Sequence, residues 1–176
     1  MRLAKFQAAI LALAATLMVT PVPAMDTLKP EPQKEPEKKK EADKDKKKDA
    51  EKKKELQETR DAIARQDWPA AEAAARAAVA RDPLSADAHN LYAYAIRKGA
   101  QPRMDLVFRH YNEALRIDPQ HRGAHEYLGE AYLMTGNLGK AKEHLAILGR
   151  LCAAGCEERA ALQRAVAFFE TSHASK

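Results

Sequence analysis

Hydrophobic and polar positions divide the chain into three parts. A basic start is followed by an apolar run, Phe6–Val19, whereas residues 38–55 carry almost no apolar side chain. From Leu56 onward, apolar residues recur at the three- and four-residue spacing of helices, in a chain rich in alanine and poor in glycine. The pattern predicts an all-α domain over residues 56–172, preceded by a charged linker over residues 25–55.

The first 24 residues have the three-part layout of a secretory signal peptide. The basic start MRLAK precedes an apolar run of 14 residues, and TPVPA then places Val22 and Ala24 where a signal peptidase reads small residues. A transmembrane anchor is the alternative, but the run is shorter than the roughly 20 residues that span a bilayer. We therefore expect cleavage after Ala24 and a periplasmic or secreted protein, whose cysteines meet an oxidising compartment.

Charge is distributed unevenly. Residues 29–55 hold 12 Lys against 9 Asp or Glu, whereas from Leu56 onward 16 basic and 15 acidic residues nearly cancel. A nearly neutral domain does not favour nucleic-acid binding. The Lys/Glu/Pro-rich linker cannot bury a face and is predicted to be disordered. It serves either as a solubilising spacer or as a weak contact for an anionic envelope surface.

Two stretches of the predicted domain repeat each other at an offset of 36 residues. AVARDPLSADAHNLYAYA at 78–95 aligns with ALRIDPQHRGAHEYLGEA at 114–131. Because proline cannot continue a helix and pushes its predecessor out of the α region, each Asp-Pro marks the end of a helix–turn–helix unit. The identical positions are Ala78, Asp82, Pro83, Ala88, His89 and Ala95, matched by Ala114, Asp118, Pro119, Ala124, His125 and Ala131.

These units resemble the tetratricopeptide repeat, which has a large–small residue pair and then an aromatic in its first helix. Leu128-Gly129 followed by Tyr132 matches that pattern, and Tyr92-Ala93 matches the pair. The resemblance implies an all-α fold, a helix-turn-helix repeat array or α-solenoid. Its three units are expected at about 52–85, 86–121 and 122–155.

The end of the array should be covered by one more helix. Its residues Ala161, Leu162, Ala165, Val166 and Phe169 lie at helical spacing. A stacked array leaves an apolar face open at its last unit, and a terminal helix has to cover it. We therefore expect a capping helix at 157–170.

The resemblance also implies a concave groove, lined by the first helix of each unit, where a peptide or a partner helix docks. A groove that changes from basic to acidic suits a mixed-charge peptide, although a solvated surface without a partner would show the same residues. Tyr94, Glu126 and Glu130 depart from the carboxylate clamps of some family members. The predicted partner-groove residues are Arg60, Asn90, Tyr94, Arg97, Glu126, Glu130 and Met134.

The sequence contains no convincing catalytic motif. HEYLG at 125–129 has glycine where a zinc protease needs its second histidine. His89 and His125 occupy equivalent repeat positions and are interpreted as packed imidazoles. We predict no enzyme, no metal, no cofactor and no small-molecule substrate.

The two cysteines, Cys152 and Cys156, lie four residues apart in LCAAGC. We predict that they form a structural disulfide, because export makes oxidation expected and each cysteine is the other's sole partner in the sequence. The alternatives are a thiolate pair for a soft metal, a thiol–disulfide exchange site and two inert thiols. The ending of the chain resembles that of small exported repeat proteins of proteobacteria. Our hypothesis is an exported, non-enzymatic adaptor for protein–protein interaction; the alternative is a metal- or redox-handling accessory protein that uses the two cysteines.

Overall fold

The computed structural model describes residues 35–174, which form seven α-helices. The predicted signal peptide, residues 1–24, and residues 25–34 of the predicted linker lie outside the described residues. None of the described helices is long and apolar enough to cross a membrane. The helices are α1 Glu35–Ala64, α2 Trp68–Arg81, α3 Ala86–Lys98, α4 Met104–Ile117, α5 Arg122–Met134, α6 Leu138–Leu151 and α7 Glu157–His173.

The helices stack in chain order as an α-solenoid. Helix α3 packs on both α2 and α4, α5 packs on both α4 and α6, and α7 packs on α5 and α6. Helix pairs α3–α4 and α5–α6 lie within the second and third predicted units. Helix α7 covers the end of the array. The predicted fold class, a helix-turn-helix array with a capping helix, is confirmed.

Side-chain caps begin most of the helices of the array. Asp67, Ser85 and Asn137 each accept a hydrogen bond from a backbone N–H in the first turn of α2, α3 and α6, respectively. Asp82 and Asp118, of the two Asp-Pro pairs, end α2 and α4. The boundaries therefore follow local backbone chemistry as well as packing.

The linker differs from its expected state. Residues 35–55, expected as part of a disordered spacer, form the first 21 residues of α1. Lysine, glutamate and alanine all favour helix, and the stretch has no proline after Pro36. Ion pairs also connect its last turns to the end of α2: Glu51 to Arg81 at 2.9 Å, Glu55 to Arg81 at 2.7 Å and Lys52 to Asp82 at 3.1 Å.

The main core lies between α3, α4 and α5. Tyr111, Ile96 and Leu128 are almost completely buried there, together with small residues that let the helices approach closely. A second cluster joins α5, α6 and α7 around Leu148 and Leu162.

Helices α5 and α7 approach each other closely at Gly129. A Cβ atom at this position would lie 2.6 Å from Cδ2 and 2.8 Å from Cδ1 of Leu162. Leu162 is fully buried, so its side chain has little room to move away. The small residue of the repeat pattern is therefore what allows the capping helix to dock.

A disulfide connects the array to its cap. Cys152 ends α6, Cys156 precedes the first residue of α7, and the two are bonded with their Cα atoms 5.9 Å apart. Gly155, between them, has a φ of +100°, in the region that favours glycine. With the bond formed, neither sulfur is a thiolate for metal binding.

Changing both Cys152 and Cys156 to serine is expected to lower the free energy of unfolding by about 2 kcal/mol, the loop-closure entropy of so short a ring. Urea unfolding of the oxidised protein and of the double variant would measure this. Treating the unchanged protein with a reductant should reproduce the loss, and equal stability of the oxidised and reduced protein would contradict the prediction.

Candidate functional site

The inner face of the array, formed by α3, α5 and α7, carries a buried charge. The side chain of Arg97 is only 6% exposed. Its Nη2 donates to a carboxylate oxygen of Glu130 at 2.7 Å, and its Nε donates to the hydroxyl oxygen of Tyr111 at 3.3 Å. A buried guanidinium is stable only when it is paired in this way, so Arg97 and Glu130 form a fixed polar floor.

Aromatic rings surround this floor. Tyr94 and Tyr127 have ring centroids 4.6 Å apart, and Trp68 meets Tyr94 edge-on at 6.2 Å. The Arg97 guanidinium lies 5.4 Å from the centroid of Tyr94 and 5.7 Å from that of Tyr127, within the range of cation–π attraction. These contacts hold Arg97 in place together with its bonds to Glu130 and Tyr111.

An apolar depression, which we call the notch, opens beside Arg97. It is a cavity of about 310 Å³ lined by Arg97, Glu130, Leu133, Met134, Ala165, Phe168 and Phe169. Phe168 is 75% exposed and Met134 is 53% exposed, so two large apolar side chains border the notch in contact with water. Exposed apolar surface bordered by polar groups is typical of an interaction site.

An acidic cluster lies at the other end of the same helices. Burial and, to a smaller extent, the nearby carboxylates of Glu130, Glu158 and Glu157 together raise the pKa of Glu126 to about 7, against the opposing effect of Arg97. Glu126 lies two turns before Met134 on α5, and Glu157 and Glu158 begin α7. The inner face is therefore acidic where α5 and α7 begin and apolar where they end.

The structure brings some of the predicted groove residues together and separates others. Arg97, Glu130 and Met134 line the notch, and Tyr94 lies beside it against Arg97. Glu126 lies farther along the same face, in the acidic cluster near the start of α5. Arg60 lies apart, with its Nη2 3.0 Å from an Asp87 carboxylate oxygen.

Asn90 is buried rather than presented at the groove surface. It is 5% exposed, and its Oδ1 has no hydrogen-bond partner among the described residues. Its side chain lies against Gly123 at the start of α5. The neighbouring helix α5 covers this side chain, which helix phase alone does not reveal.

Sequence reasoning missed three aromatic residues of the site: Tyr127, Trp68 and Phe168. The sequence does contain a signal for Phe168. It does not share the helical spacing of the apolar residues that the capping helix buries, so it is a large aromatic residue on the polar side of that helix. Tyr127 immediately precedes the large–small pair of its unit, where the pattern assigns no role. Trp68 starts α2, and its contact with Tyr94 depends on how two units stack.

Two pairs of histidines form the same structural joint in successive units. The Nδ1 atoms of His89 and His110 are 2.8 Å apart, and those of His125 and His144 are 2.9 Å apart. The Nε2 atoms of His89 and His125 lie 3.1 Å from the carbonyl oxygens of Pro83 and Pro119, to which they donate. Each joint therefore ties the two helices of a unit to the preceding Asp-Pro corner. A hydrogen bond between two Nδ1 atoms requires that one of them carries no proton, so at least one imidazole of each pair is neutral.

We expect these joints to weaken in acid. Burial lowers the pKa of His144 to about 4 and also lowers the pKa of His110 and of His125. Because folding favours the neutral rings, the unfolded chain takes up protons first as the pH falls below about 6.5. The stability that these pairs contribute is therefore complete above pH 6.5 and is lost toward about pH 4.

Urea unfolding at about pH 7.5, 6 and 4.5 would measure this effect. A variant with His110→Gln and His144→Gln is the matched control, because an amide can donate to the partner Nδ1 but does not titrate. The unchanged protein should lose more stability than the variant over this range. Parallel losses would assign the acid sensitivity to other groups.

Metal-binding clusters are absent from the described part of the chain. Among the side chains that the structure describes, no group of three or more His, Cys, Asp or Glu is placed to hold an ion. In each histidine pair, the two facing Nδ1 atoms are already hydrogen-bonded to each other. Their geometry is accounted for by packing.

Comparison with solved structures identifies the fold. The TPR2B domain of yeast Sti1, in its pHsp70 complex, matches with a TM-score of 0.62 and 18% identity over 69% of this chain and 98% of that domain. The fold is a tetratricopeptide-repeat array. The Yersinia enterocolitica type III secretion translocator chaperone SycD matches at 0.59 and 15% identity, over 70% of this chain and 83% of that one.

A second structure of SycD, an alternative dimer, matches over 92% of its length with the same TM-score of 0.59. No protein-family model matches the chain, and no curated protein matches it. At these identities the likeness establishes the repeat fold, and the function has to be inferred from the groove itself.

Proposed function

We propose that this chain is an exported adaptor that binds a protein or peptide segment in the groove between α3, α5 and α7, without catalysing a reaction. The observation that carries the proposal is the notch. Phe168 and Met134 are exposed beside a fixed Arg97–Glu130 pair, on the face that a repeat array leaves concave. An apolar side chain entering the notch would remove both from water.

Rigidity supports the same function. The floor of the groove is held by the Arg97 bonds to Glu130 and Tyr111 and by the rings of Tyr94 and Tyr127. A preformed site loses little conformational entropy when a partner binds, so a small apolar contact can suffice. Export is supported by the three-part N-terminus and by the disulfide that joins α6 to α7.

Site-directed photocrosslinking in the native host tests the groove. A photoreactive amino acid at Met134 reports on the notch, and the same amino acid at Leu84, which is 71% exposed in the turn before α3, is the matched control. We expect a discrete protein adduct from position 134 alone, which Phe168→Ala abolishes. Identical products at both positions, or none at either, would overturn the proposal.

The exported state has its own measurement. The intact mass of the protein purified from its host should correspond to a chain beginning at Met25 and carrying one disulfide. A chain that retains residues 1–24, or that carries two free thiols, would contradict the exported form.

A further inference from the structure

The acidic side chains along the groove are not all paired with cations among the described side chains. Glu130 is paired with Arg97 at 2.7 Å, and Glu158 lies 3.7 Å from the Nε of Arg122. Glu126 and Glu157 form no ion pair with the side chains that the structure describes, which are those of residues 44, 46–48 and 50–174. The start of α7 places its backbone N–H groups near Glu157, which stabilises that carboxylate locally but adds no cation above the groove.

The acidic cluster and the notch lie at opposite ends of one groove. Helices α5 and α7 run in the same direction. The carboxylates near their starts lie close enough to interact, and the side chains near their ends line the notch together. From Glu126 to Met134 there are eight residues, which corresponds to about 12 Å along the helix axis. An extended chain covers that distance in three or four residues.

We propose that the groove binds a partner-protein segment in which a Lys or Arg lies three or four residues from a large apolar side chain. The apolar side chain fills the notch between Met134 and Phe168, and the cation lies over Glu126 and Glu157. This inference rests on the proposed function and specifies the chemistry of the partner.

Charge complementarity favours this segment over an acidic one. The only cation that lines the notch is Arg97, which is almost completely buried and already bonded to Glu130, so an incoming carboxylate would find no free donor there among the described residues. It would also meet the carboxylates of Glu126, Glu157 and Glu158. Like charges at short range oppose binding, whereas an unpaired carboxylate that gains a cation favours it.

Binding should also depend on pH in a way that identifies Glu126. The groups that act on its carboxylate are Arg97 from α3, Glu130 from α5, and Glu157 and Glu158 from α7. A partner cation favours the ionised carboxylate, so affinity should rise with pH. For a group that titrates near pH 7, the ionised fraction rises about tenfold from pH 6 to pH 8, which sets the largest rise in affinity that this carboxylate alone can produce.

A random-peptide display library, selected on the exported chain without residues 1–24, tests the proposal. Enrichment of Lys or Arg three or four residues from an apolar residue is the expected result. A selected peptide should lose at least tenfold in affinity for a Glu126→Gln, Glu157→Gln variant and retain its affinity for Glu113→Gln, whose carboxylate pairs with Arg116 on α4. The Glu126→Gln variant should lose the pH dependence.

The remaining outcomes separate the two proposals. Acidic or uncharged peptides whose binding requires Phe168 would overturn the basic-partner inference and leave the groove function standing. Peptides that bind equally well to Phe168→Ala would overturn both proposals. Self-association of the chain through residues 29–55, seen as a concentration-dependent mass, would replace the partner by a second copy and would also overturn the inference.

Discussion

Tyr111→Ala is expected to lower the free energy of unfolding by about 3–5 kcal/mol, as truncation of a buried aromatic side chain does. Tyr111 has no exposed surface and lies in the core cluster formed by α3, α4 and α5. Its removal leaves a cavity between two repeat units and takes away the oxygen that the Nε of Arg97 donates to. Because natural domains are stable by roughly 5–15 kcal/mol, urea unfolding should show a large shift in midpoint.

Tyr111→Phe separates the two parts of this loss. The ring is retained, and only the 3.3 Å bond from Arg97 disappears, so about 1 kcal/mol should be lost. Arg97 keeps its bond to Glu130 in this variant. If Tyr111→Ala is no more destabilising than Tyr111→Phe, the core does not depend on this ring.

Leu162→Ala is expected to cost about 2–5 kcal/mol, because the side chain is fully buried between the capping helix and the array. Gly129→Ala should cost about 1–3 kcal/mol for the opposite reason, since the new methyl group would lie 2.6 Å from Leu162. The two changes together should cost less than their sum, because the space vacated at 162 accommodates the methyl group at 129.

Gly149→Ala is the matched control for this pair. It lies inside α6, where a new Cβ atom has Arg159 at 3.9 Å as its nearest neighbour, so alanine should be neutral or slightly stabilising. Unfolding free energies of the four variants form the test. If the losses of unfolding free energy at positions 129 and 162 are strictly additive, the contact between Gly129 and Leu162 does not hold the capping helix in place.

The repeat array could be predicted because its determinants are local. Asp-Pro ends a helix by backbone chemistry, and the alternation of large and small residues, such as Leu128-Gly129, is the packing code itself. The helical state of residues 35–55 could not be predicted in the same way. That stretch has almost no apolar side chains in its sequence. Its last turns are held by ion pairs with Arg81 and Asp82, which form only once α1 and α2 lie together.

The residues of the groove could be predicted only within the repeat units, because only there does the alignment indicate which side of a helix faces the groove. The phase puts Arg97, Glu130 and Met134 on one side of the array, because equivalent positions of successive units face the same side, and the three residues line the notch. Phe168 belongs to the capping helix, which has no aligned partner in the chain. The histidine joints could not be recognised from the repeat alignment. His89 and His125 align at the offset of 36 residues, whereas His110 and His144 are 34 residues apart and do not align at that offset.

That mismatch shows where the architecture tolerates change. The turn between α3 and α4 has five residues, 99–103, and the turn between α5 and α6 has three, 135–137, yet the two histidine joints have nearly the same geometry. A difference of two residues is absorbed within the loop and is not transmitted to the stack. The α3–α4 loop is therefore the natural place to insert an epitope or a fluorescent label, and joint-to-joint spacing can be engineered independently of loop length.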